Sequence, residues 1–203
     1  MRCLACGTGF EGQESKRLDY ENLEFPNSDI FNDLLITICP NCGLGFLNKE
    51  PSSAQVYDFY MNYYRHSNSP YSVDFSRMKP LRSMDARSLG QIYLGLSQIN
   101  FNKNDIFLDL GPGSGNSFST ANLILDNPIC YGIELNSGAQ AYYLRAYGAE
   151  TFQNISVFIE KGFKAKLIIL SHSLEHFKSS EASKLMNELK MALSPDGAVV
   201  IEV

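Results

Sequence analysis

Short apolar segments alternate with helical patterns from residue 105 to the end of the 203-residue chain. Five segments predict strands: DIFLDLG, ICYGIEL, AETFQNI, AKLIILS and AVVIEV. The last predicted helix, SSEASKLMNELKMALSPDG, is amphipathic, and its Ser-Pro-Asp-Gly sequence is expected to end it. AKLIILS is almost wholly apolar, as expected for a strand buried on both faces of a parallel sheet. The pattern predicts a doubly wound, mostly parallel α/β sheet over residues 105–203.

The first predicted strand runs into a glycine-rich turn with the sequence LDLGPGSGNS. Gly111, Gly113 and Gly115 let the main chain turn tightly and approach a ligand beyond the end of the strand. Asp109 precedes them, and Glu134 follows the next strand, 19 residues beyond Gly115, where a carboxylate can bind two ribose hydroxyls. The spacing differs from the G-x-G-x-x-G of dinucleotide sites. A plain turn between strand and helix is the alternative interpretation.

Four of the five cysteines form two pairs near the N-terminus. The pairs are Cys3-x-x-Cys6 and Cys39-x-x-Cys42, and each is followed by a glycine, where a zinc knuckle favours a positive φ. Two such turns can supply the four thiolates of a tetrahedral, structural zinc site. The alternative is a set of buried or redox cysteines. Cys130 lies in an apolar segment and is interpreted as a core residue.

Composition divides the chain into three predicted regions: a zinc ribbon over 1–50, a helical connector over 51–104 and the α/β domain over 105–203. In the connector, Ser52 and Gln55 have the spacing of a capping box. Residues 1–50 contain four basic and eight acidic side chains, and the whole chain has a net charge of −5. This charge argues against nucleic acid as a partner, because a phosphate backbone usually needs a basic surface. The sequence has neither a long apolar segment nor a signal peptide, so we expect a cytoplasmic protein without a membrane partner.

The glycine loop resembles the D-x-G-x-G-x-G loop of class I methyltransferases, which depend on S-adenosylmethionine (SAM) and have a Rossmann-like fold. The resemblance continues through the two CxxC pairs, YDFYMNYYRHS, GIEL, LSHSLEHF and LSPDGAVVIEV, and so covers most of the chain. Together these motifs resemble a bacterial family that joins an N-terminal zinc ribbon to a methyltransferase domain and includes deoxysugar C-methyltransferases. The resemblance implies a SAM-dependent methyltransferase acting on a small molecule, with a sugar or sugar nucleotide as the expected acceptor.

The resemblance also implies a cofactor site formed by the glycine loop and the ends of the next strands. Glu134 would hold the ribose, and Leu135 would lie beside the adenine. Ser171 and His172 would line the pocket after the fourth strand of the α/β domain. The implied residues of the loop itself are Gly111, Gly113 and Ser114, which would border the methionine part of SAM, and Asp109, Gly115 and Asn116, which would support the loop.

The segment ILSHSLEHF places His172, Glu175 and His176 within five positions. It matches the H-x-x-E-H motif of some zinc peptidases, but there the two histidines lie one helical turn apart. Here they follow a strand, and no helix is predicted before about Ser179, so a peptidase site is not expected. The resemblance implies that Glu175 and His176 act beside the cofactor, with His176 as general base for the methyl acceptor. Alternatively, both histidines are only polar residues at a strand end.

Two other functions fit parts of the pattern. Zinc-containing rRNA guanine methyltransferases suggest RNA as an alternative substrate, although the acidic character of the ribbon argues against it. A non-catalytic interaction module is the third hypothesis, because the implied fold would continue with two more strands beyond Val203. We therefore expect a truncated form of a longer protein, whose uncovered last strand favours association with a partner chain.

Overall fold

The structure, a computed structural model, describes residues 2–3, 5–9, 16–17, 35–47, 51–59, 74–177 and 179–203. The chain divides into two compact units, Met1–Val73 and Asp74–Val203. The first unit contains the two cysteine pairs, and the second contains the α/β sheet. The domain boundaries predicted near residues 50 and 104 stay predictions.

The first unit contains a small antiparallel sheet and a short helix within its described residues. The strands lie in the order β1 (Lys16–Arg17), β2 (Leu35–Ile38) and β3 (Gly45–Leu47). Helix α1 (Ser53–Asp58) begins with the predicted capping box. The Gln55 amide donates to Ser52 Oγ at 3.2 Å, and the Ser52 amide donates to Gln55 Oε1 at 2.9 Å. Residues 60–73 of the predicted connector lie outside the described residues.

The second unit is built on a five-stranded sheet whose neighbouring strands are all parallel. The strands are β4 (Ile106–Leu110), β5 (Ile129–Ile133), β6 (Glu150–Phe152), β7 (Ala165–Ser171) and β8 (Leu193–Glu202). Their order in the sheet is β6-β5-β4-β7-β8. The chain therefore starts at the centre, runs to one edge and returns to the other side. This arrangement confirms the predicted doubly wound α/β fold.

Helices connect these strands, and a further helix precedes them. They are α2 (Ala86–Leu96), α3 (Asn116–Ile124), α4 (Ser137–Tyr147), α5 (Ile155–Glu160) and α6 (Ser179–Ala192). Side chains of Asp85, Asn136 and Asn154 accept amide hydrogen bonds at the starts of α2, α4 and α5, which explains where these helices begin. Helix α2 packs against α3, β7 and β8. Within the described residues, no helix is long and apolar enough to span a membrane.

The core of this unit lies on both faces of the central strands. In β7, all residues except Ser171 at its end are buried, as the apolar sequence AKLIILS predicts. Leu108 and Leu110 of β4 and Ile168 and Leu170 of β7 form one apolar cluster with residues of α5 and α6. These two strands therefore form a rigid base for the loops at their carboxyl ends.

Two elements differ from the sequence-based expectation. Helix α5 was not predicted, because ISVFIE is a short apolar segment that fits a strand or a helix equally well. Strand β8 begins at Leu193, five residues earlier than predicted, so Ser-Pro-Asp-Gly lies within the strand. Asp196 Oδ2 lies 2.5 Å from the ammonium of the buried Lys166 in β7, and this ion pair holds the early part of β8 against the sheet.

Candidate functional site

The candidate ligand site lies at the carboxyl ends of β4, β5 and β7. Strand β4 has β5 on one side and β7 on the other, although β7 comes two strands later in the chain. Connections from neighbouring strands leave in opposite directions at such a point, which opens a crevice where ligands bind in doubly wound sheets. The glycine loop, Glu134 and the His172 segment all follow the three strands that border this crevice.

The glycine loop adopts backbone conformations that favour glycine. The φ angles of Gly111, Gly113 and Gly115 are +75°, +60° and +79°. A Cβ atom at Gly111 would lie 2.6 Å from Ser173 Oγ, and one at Gly115 would lie 2.7 Å from a ring carbon of Tyr147. Side chains at these positions would clash, so the loop presents bare main chain between β4 and α3. Ser114, which is half-buried, lies between the last two glycines.

Glu134 is the first residue after β5, and its carboxylate is half-buried. Its Oε1 accepts a hydrogen bond from the Asn136 amide at 2.9 Å, and its Oε2 lies 3.4 Å from the Tyr143 hydroxyl. A carboxylate offers about four lone-pair positions, so these contacts orient Glu134 and leave it able to accept two more donors. The adjacent Leu135 is also half-buried and adds an apolar surface beside the carboxylate.

Asp109 lies beneath the loop as a buried carboxyl group. Its Oδ2 accepts a hydrogen bond from the Ser117 hydroxyl, whereas its Oδ1 has no hydrogen-bond partner among the described residues. Burial raises the pKa of Asp109 to about 7, and the nearby charge of Glu134 raises this pKa further, against the effect of Ser117. Asn116 begins α3, and its amide lies 3.5 Å from Asp85 Oδ1. These contacts anchor both ends of the loop.

The residues after β7 form a cluster of polar side chains. His172 has a φ of +49°, and its Nδ1 lies 3.2 Å from Glu175 Oε1. Its Nε2 lies 3.7 Å from Glu202 Oε1, so the imidazole stands between two carboxylates. Ser171 Oγ accepts a hydrogen bond from the amide of Gln91 in α2 at 2.9 Å. Glu175 therefore contacts His172, and its expected action beside the cofactor stays a prediction.

His176 is exposed and ends a short 3-10 turn, Leu174–His176. This turn precedes α6, which begins at the predicted Ser179. Because His172 is in a left-handed conformation before the turn, the two histidines do not share one face of an α-helix. Among the described residues, neither histidine belongs to a group of three or more side chains that could hold a metal ion. The two histidines therefore lack the helical spacing that H-x-x-E-H zinc peptidases have.

The four paired cysteines of the first unit come together in one cluster. The Sγ atoms of Cys3 and Cys42 are 3.6 Å apart, those of Cys6 and Cys39 are 3.7 Å apart, and all four lie within 4.8 Å of one another. A tetrahedral zinc ion with bonds of about 2.3 Å separates its sulfur ligands by about 3.8 Å. A disulfide would need a distance of about 2.05 Å. The arrangement therefore fits a zinc ion with four cysteine ligands.

Both cysteine pairs adopt the same turn. The Cys3 amide donates to the Thr8 carbonyl at 2.9 Å, and the Gly7 amide donates to the Cys3 carbonyl at 3.0 Å. The second pair repeats both bonds, from Cys39 and Gly43, at 2.8 and 2.9 Å. The φ angles of Gly7 and Gly43 are +71° and +74°, as expected for a knuckle. These bonds turn the two sulfur atoms of each pair toward the same point.

Hydrogen bonds to Cys6 favour its thiolate, which is the form of cysteine that binds zinc. The Asn41 amide donates to Cys6 Sγ at 3.5 Å and to Thr8 Oγ1 at 3.1 Å. Hydrogen bonds from Asn41 and Thr8 lower the pKa of Cys6 to about 5. Cys3 and Cys39 are buried, whereas Cys6 and Cys42 are exposed. Cys130 is also buried, as predicted, and burial raises the pKa of its thiol to about 12.

Comparison with known families identifies the second unit. Residues 81–203 match a family model described as a methyltransferase domain. The chain belongs to this methyltransferase family. No match was found among curated proteins.

Several solved structures are similar to part of the chain. A SAM-dependent methyltransferase from Thiobacillus denitrificans, in complex with S-adenosyl-L-homocysteine (SAH), is 13% identical with a TM-score of 0.44, covering 63% of this chain and 52% of its own. A SAM-dependent methyltransferase from Geobacter sulfurreducens, also in complex with SAH, is 18% identical, with a TM-score of 0.45. The match covers 64% of this chain and 53% of the Geobacter chain. Mycolic acid cyclopropane synthase CmaA1, complexed with SAH and CTAB, is 13% identical, with a TM-score of 0.48. The match covers 73% of this chain and 52% of the synthase chain. The chain spans about half the length of these structures.

The methyltransferase domain also contains site residues that the sequence interpretation missed. The Tyr143 hydroxyl donates to the Gly113 carbonyl at 2.6 Å, and the Ser173 hydroxyl donates to the Leu110 carbonyl at 2.7 Å. Tyr143 lies in a helical segment with ordinary amphipathic spacing, and Ser173 lies in a short polar turn. No local sequence signal distinguishes either residue, because both contacts depend on how distant elements pack.

Proposed function

We propose that the second unit binds SAM and transfers its methyl group to a small-molecule acceptor, with a sugar or sugar nucleotide as the favoured class. The observation that carries the proposal is the pairing of a bare glycine loop after β4 with an oriented carboxylate, Glu134, after β5. A nucleoside without phosphate groups fits this pair, because main chain can approach it closely and the carboxylate can accept both ribose hydroxyls. Membership of the methyltransferase family supports the choice of SAM.

In this proposal the glycine loop and the residues after β5 contact different parts of the cofactor. Gly111, Gly113 and Ser114 border its methionine part, Glu134 holds the ribose, and Leu135 lies beside the adenine. SAM supplies an electrophilic methyl group when bound, so the protein has to align the acceptor and remove a proton from it. The supporting residues are Asp109, Gly115 and Asn116.

The polar cluster after β7 supplies groups for the acceptor. We propose His176 as the general base and Glu175 as a residue that orders the histidines or contacts the acceptor. The 3.2 Å contact between Glu175 and His172 supports a role for His172 in the same acid-base group. Ser171 and His172 line the pocket. Hydroxyl-rich acceptors suit these carboxylate, imidazole and hydroxyl groups, which can all exchange hydrogen bonds with a sugar.

We propose that the cysteine cluster of the first unit holds one structural zinc ion through Cys3, Cys6, Cys39 and Cys42. Four protein ligands would close the coordination sphere, so zinc would stabilise the fold and take no part in methyl transfer. The association of chains through the edge of β8 stays a prediction.

The decisive experiment is the replacement Glu134→Ala, with SAH as the ligand in isothermal titration calorimetry. Loss of hydrogen bonds to a charged group is expected to raise the Kd of SAH roughly 10- to 100-fold. Glu160→Ala, which removes an exposed carboxylate at the end of α5, is the matched control and should leave the Kd unchanged. An unaltered Kd in Glu134→Ala would remove the ribose assignment.

The acceptor class needs a separate experiment. Methyl transfer from labelled SAM should be measured with a panel of sugars and sugar nucleotides. Transfer to one of them would support the proposal. A strongly salt-dependent affinity for RNA would favour the rRNA hypothesis instead. SAH binding without transfer to any member of the panel would favour a non-catalytic module.

A further inference from the structure

The Tyr143 hydroxyl lies between the two halves of the proposed nucleoside site. It donates a hydrogen bond to the Gly113 carbonyl in the glycine loop at 2.6 Å. It also lies 3.4 Å from Glu134 Oε2, the carboxylate proposed to hold the ribose. The glycine loop follows β4 and Glu134 follows β5. The Tyr143 hydroxyl of α4 therefore contacts both groups that are proposed to hold the nucleoside.

The ring of Tyr143 is fixed in place by its surroundings. It is fully buried, and its centroid lies 5.5 Å from that of Phe118 in a T-shaped arrangement. A Cβ atom at Gly115 would lie only 3.2 Å from a ring carbon of Tyr143, so the loop rests directly on the ring. A side chain held in this way cannot follow a movement of the loop or of Glu134 without disturbing the core.

The phenol has one proton, and the short distance directs it to the Gly113 carbonyl. Within a trans peptide, the carbonyl and the following N–H point in opposite directions. Anchoring the Gly113 carbonyl on Tyr143 therefore turns the Ser114 N–H away from the buried ring. The 3.4 Å contact between the Tyr143 hydroxyl and Glu134 Oε2 limits how closely the carboxylate can approach the loop. One hydroxyl thus sets both the orientation of the loop and its distance from the carboxylate.

We propose that Tyr143 is a positioning residue for SAM, whose hydroxyl holds the glycine loop and Glu134 at the separation that a nucleoside requires. This inference rests on the proposed function. Tyr143 acts through the loop and the carboxylate.

The test compares Tyr143→Phe with Tyr142→Phe in titrations with SAH. Both tyrosines are buried in α4, and each replacement removes one buried hydroxyl. The Tyr142 hydroxyl contacts the Lys79 carbonyl at 3.4 Å and the Tyr147 hydroxyl at 3.1 Å, and neither group belongs to the glycine loop or to Glu134. We expect Tyr143→Phe to raise the Kd of SAH about 3- to 10-fold, the value of one hydrogen bond, and Tyr142→Phe to leave it within twofold. Thermal unfolding of both variants separates a loss of stability from a loss of positioning.

A double-mutant cycle adds a measurement that a purely structural role would not change. Because Tyr143 also contacts Glu134, the effect of Tyr143→Phe on the Kd should be smaller in a Glu134→Gln background than in the wild type. A Kd in Tyr143→Phe equal to that of the wild type, or equal effects of the two tyrosine replacements, would overturn the inference alone. Absence of SAH binding by the wild-type chain would overturn the proposed function as well.

Discussion

Among the described residues of the first unit, the buried side chains are Cys3, Thr37 and Cys39. In the second unit, apolar side chains of β4, β7, α5 and α6 form a continuous core. In the first unit the four clustered thiols would be cross-linked by the proposed zinc ion, whose binding would contribute free energy to folding. Two units of one chain can therefore depend on different stabilising forces, and each force can be removed separately.

The largest effect should come from removing the metal. Purified protein should contain about one zinc ion per chain, and Cys39→Ser or a strong chelator should unfold the first unit, because zinc binding contributes about 10 to 16 kcal/mol in such sites. Metal analysis and hydrogen exchange would measure both effects, with loss of amide protection confined to residues 2–9 and 35–47. Cys130→Ser is the matched control and should retain zinc. Retained protection in metal-free protein would show that the units do not differ as proposed.

A core replacement should destabilise the second unit and leave the zinc content of the first unit unchanged. Ile168→Ala leaves a cavity in the apolar cluster between β7 and its neighbours and should lower the free energy of unfolding of the second unit by about 2 to 5 kcal/mol. Urea unfolding followed by circular dichroism would measure this loss, and the zinc content should not change. Leu144→Ala removes an exposed leucine from α4 and should change stability by less than about 0.5 kcal/mol. Loss of zinc from Ile168→Ala would show that the two units do not depend on separate stabilising forces.

The smallest effect concerns Asp109. Its pKa of about 7 in the folded chain exceeds the value of about 3.9 in an unfolded chain. The folded chain therefore binds more protons between pH 4 and 7, so the stability that Asp109 contributes below pH 4 is lost as the pH rises toward 7. Asp109→Asn should remove this loss and stabilise the second unit at pH 8 by roughly 1 to 3 kcal/mol. Urea unfolding at pH 5 and pH 8 would measure it.

Asp126→Asn, which alters an exposed carboxylate, provides the comparison for that experiment. Parallel pH profiles for Asp109→Asn and the wild type would mean that the buried carboxyl does not titrate in this range.

The sequence predicted those parts of the fold that depend on local chemistry. These parts are the apolar strand β7, the glycine loop and the two cysteine pairs. Each of them depends on residues that lie close together in the sequence. The doubly wound parallel class of the sheet followed from the alternation of strands and helices. Glu134 could be located because a strand end fixes its position relative to the loop.

The remaining parts depend on contacts between distant residues. In the early part of β8, Asp196 pairs with Lys166, a contact that a Ser-Pro-Asp-Gly sequence does not indicate. Glu175 contacts His172, because the left-handed backbone at His172 turns the chain before the 3-10 turn. Tyr143 reaches Gly113 across thirty positions of sequence through the packing of α4 against the loop. The functional roles of these residues stay predictions.

The alternating burial of the four cysteines has a consequence for chemical damage to the protein. Each knuckle contributes one covered sulfur and one that faces solvent, so Cys6 and Cys42 together form an accessible side of the cluster. Oxidants and alkylating reagents should therefore react first at these two thiols, and the covered pair should follow only after the turn has opened.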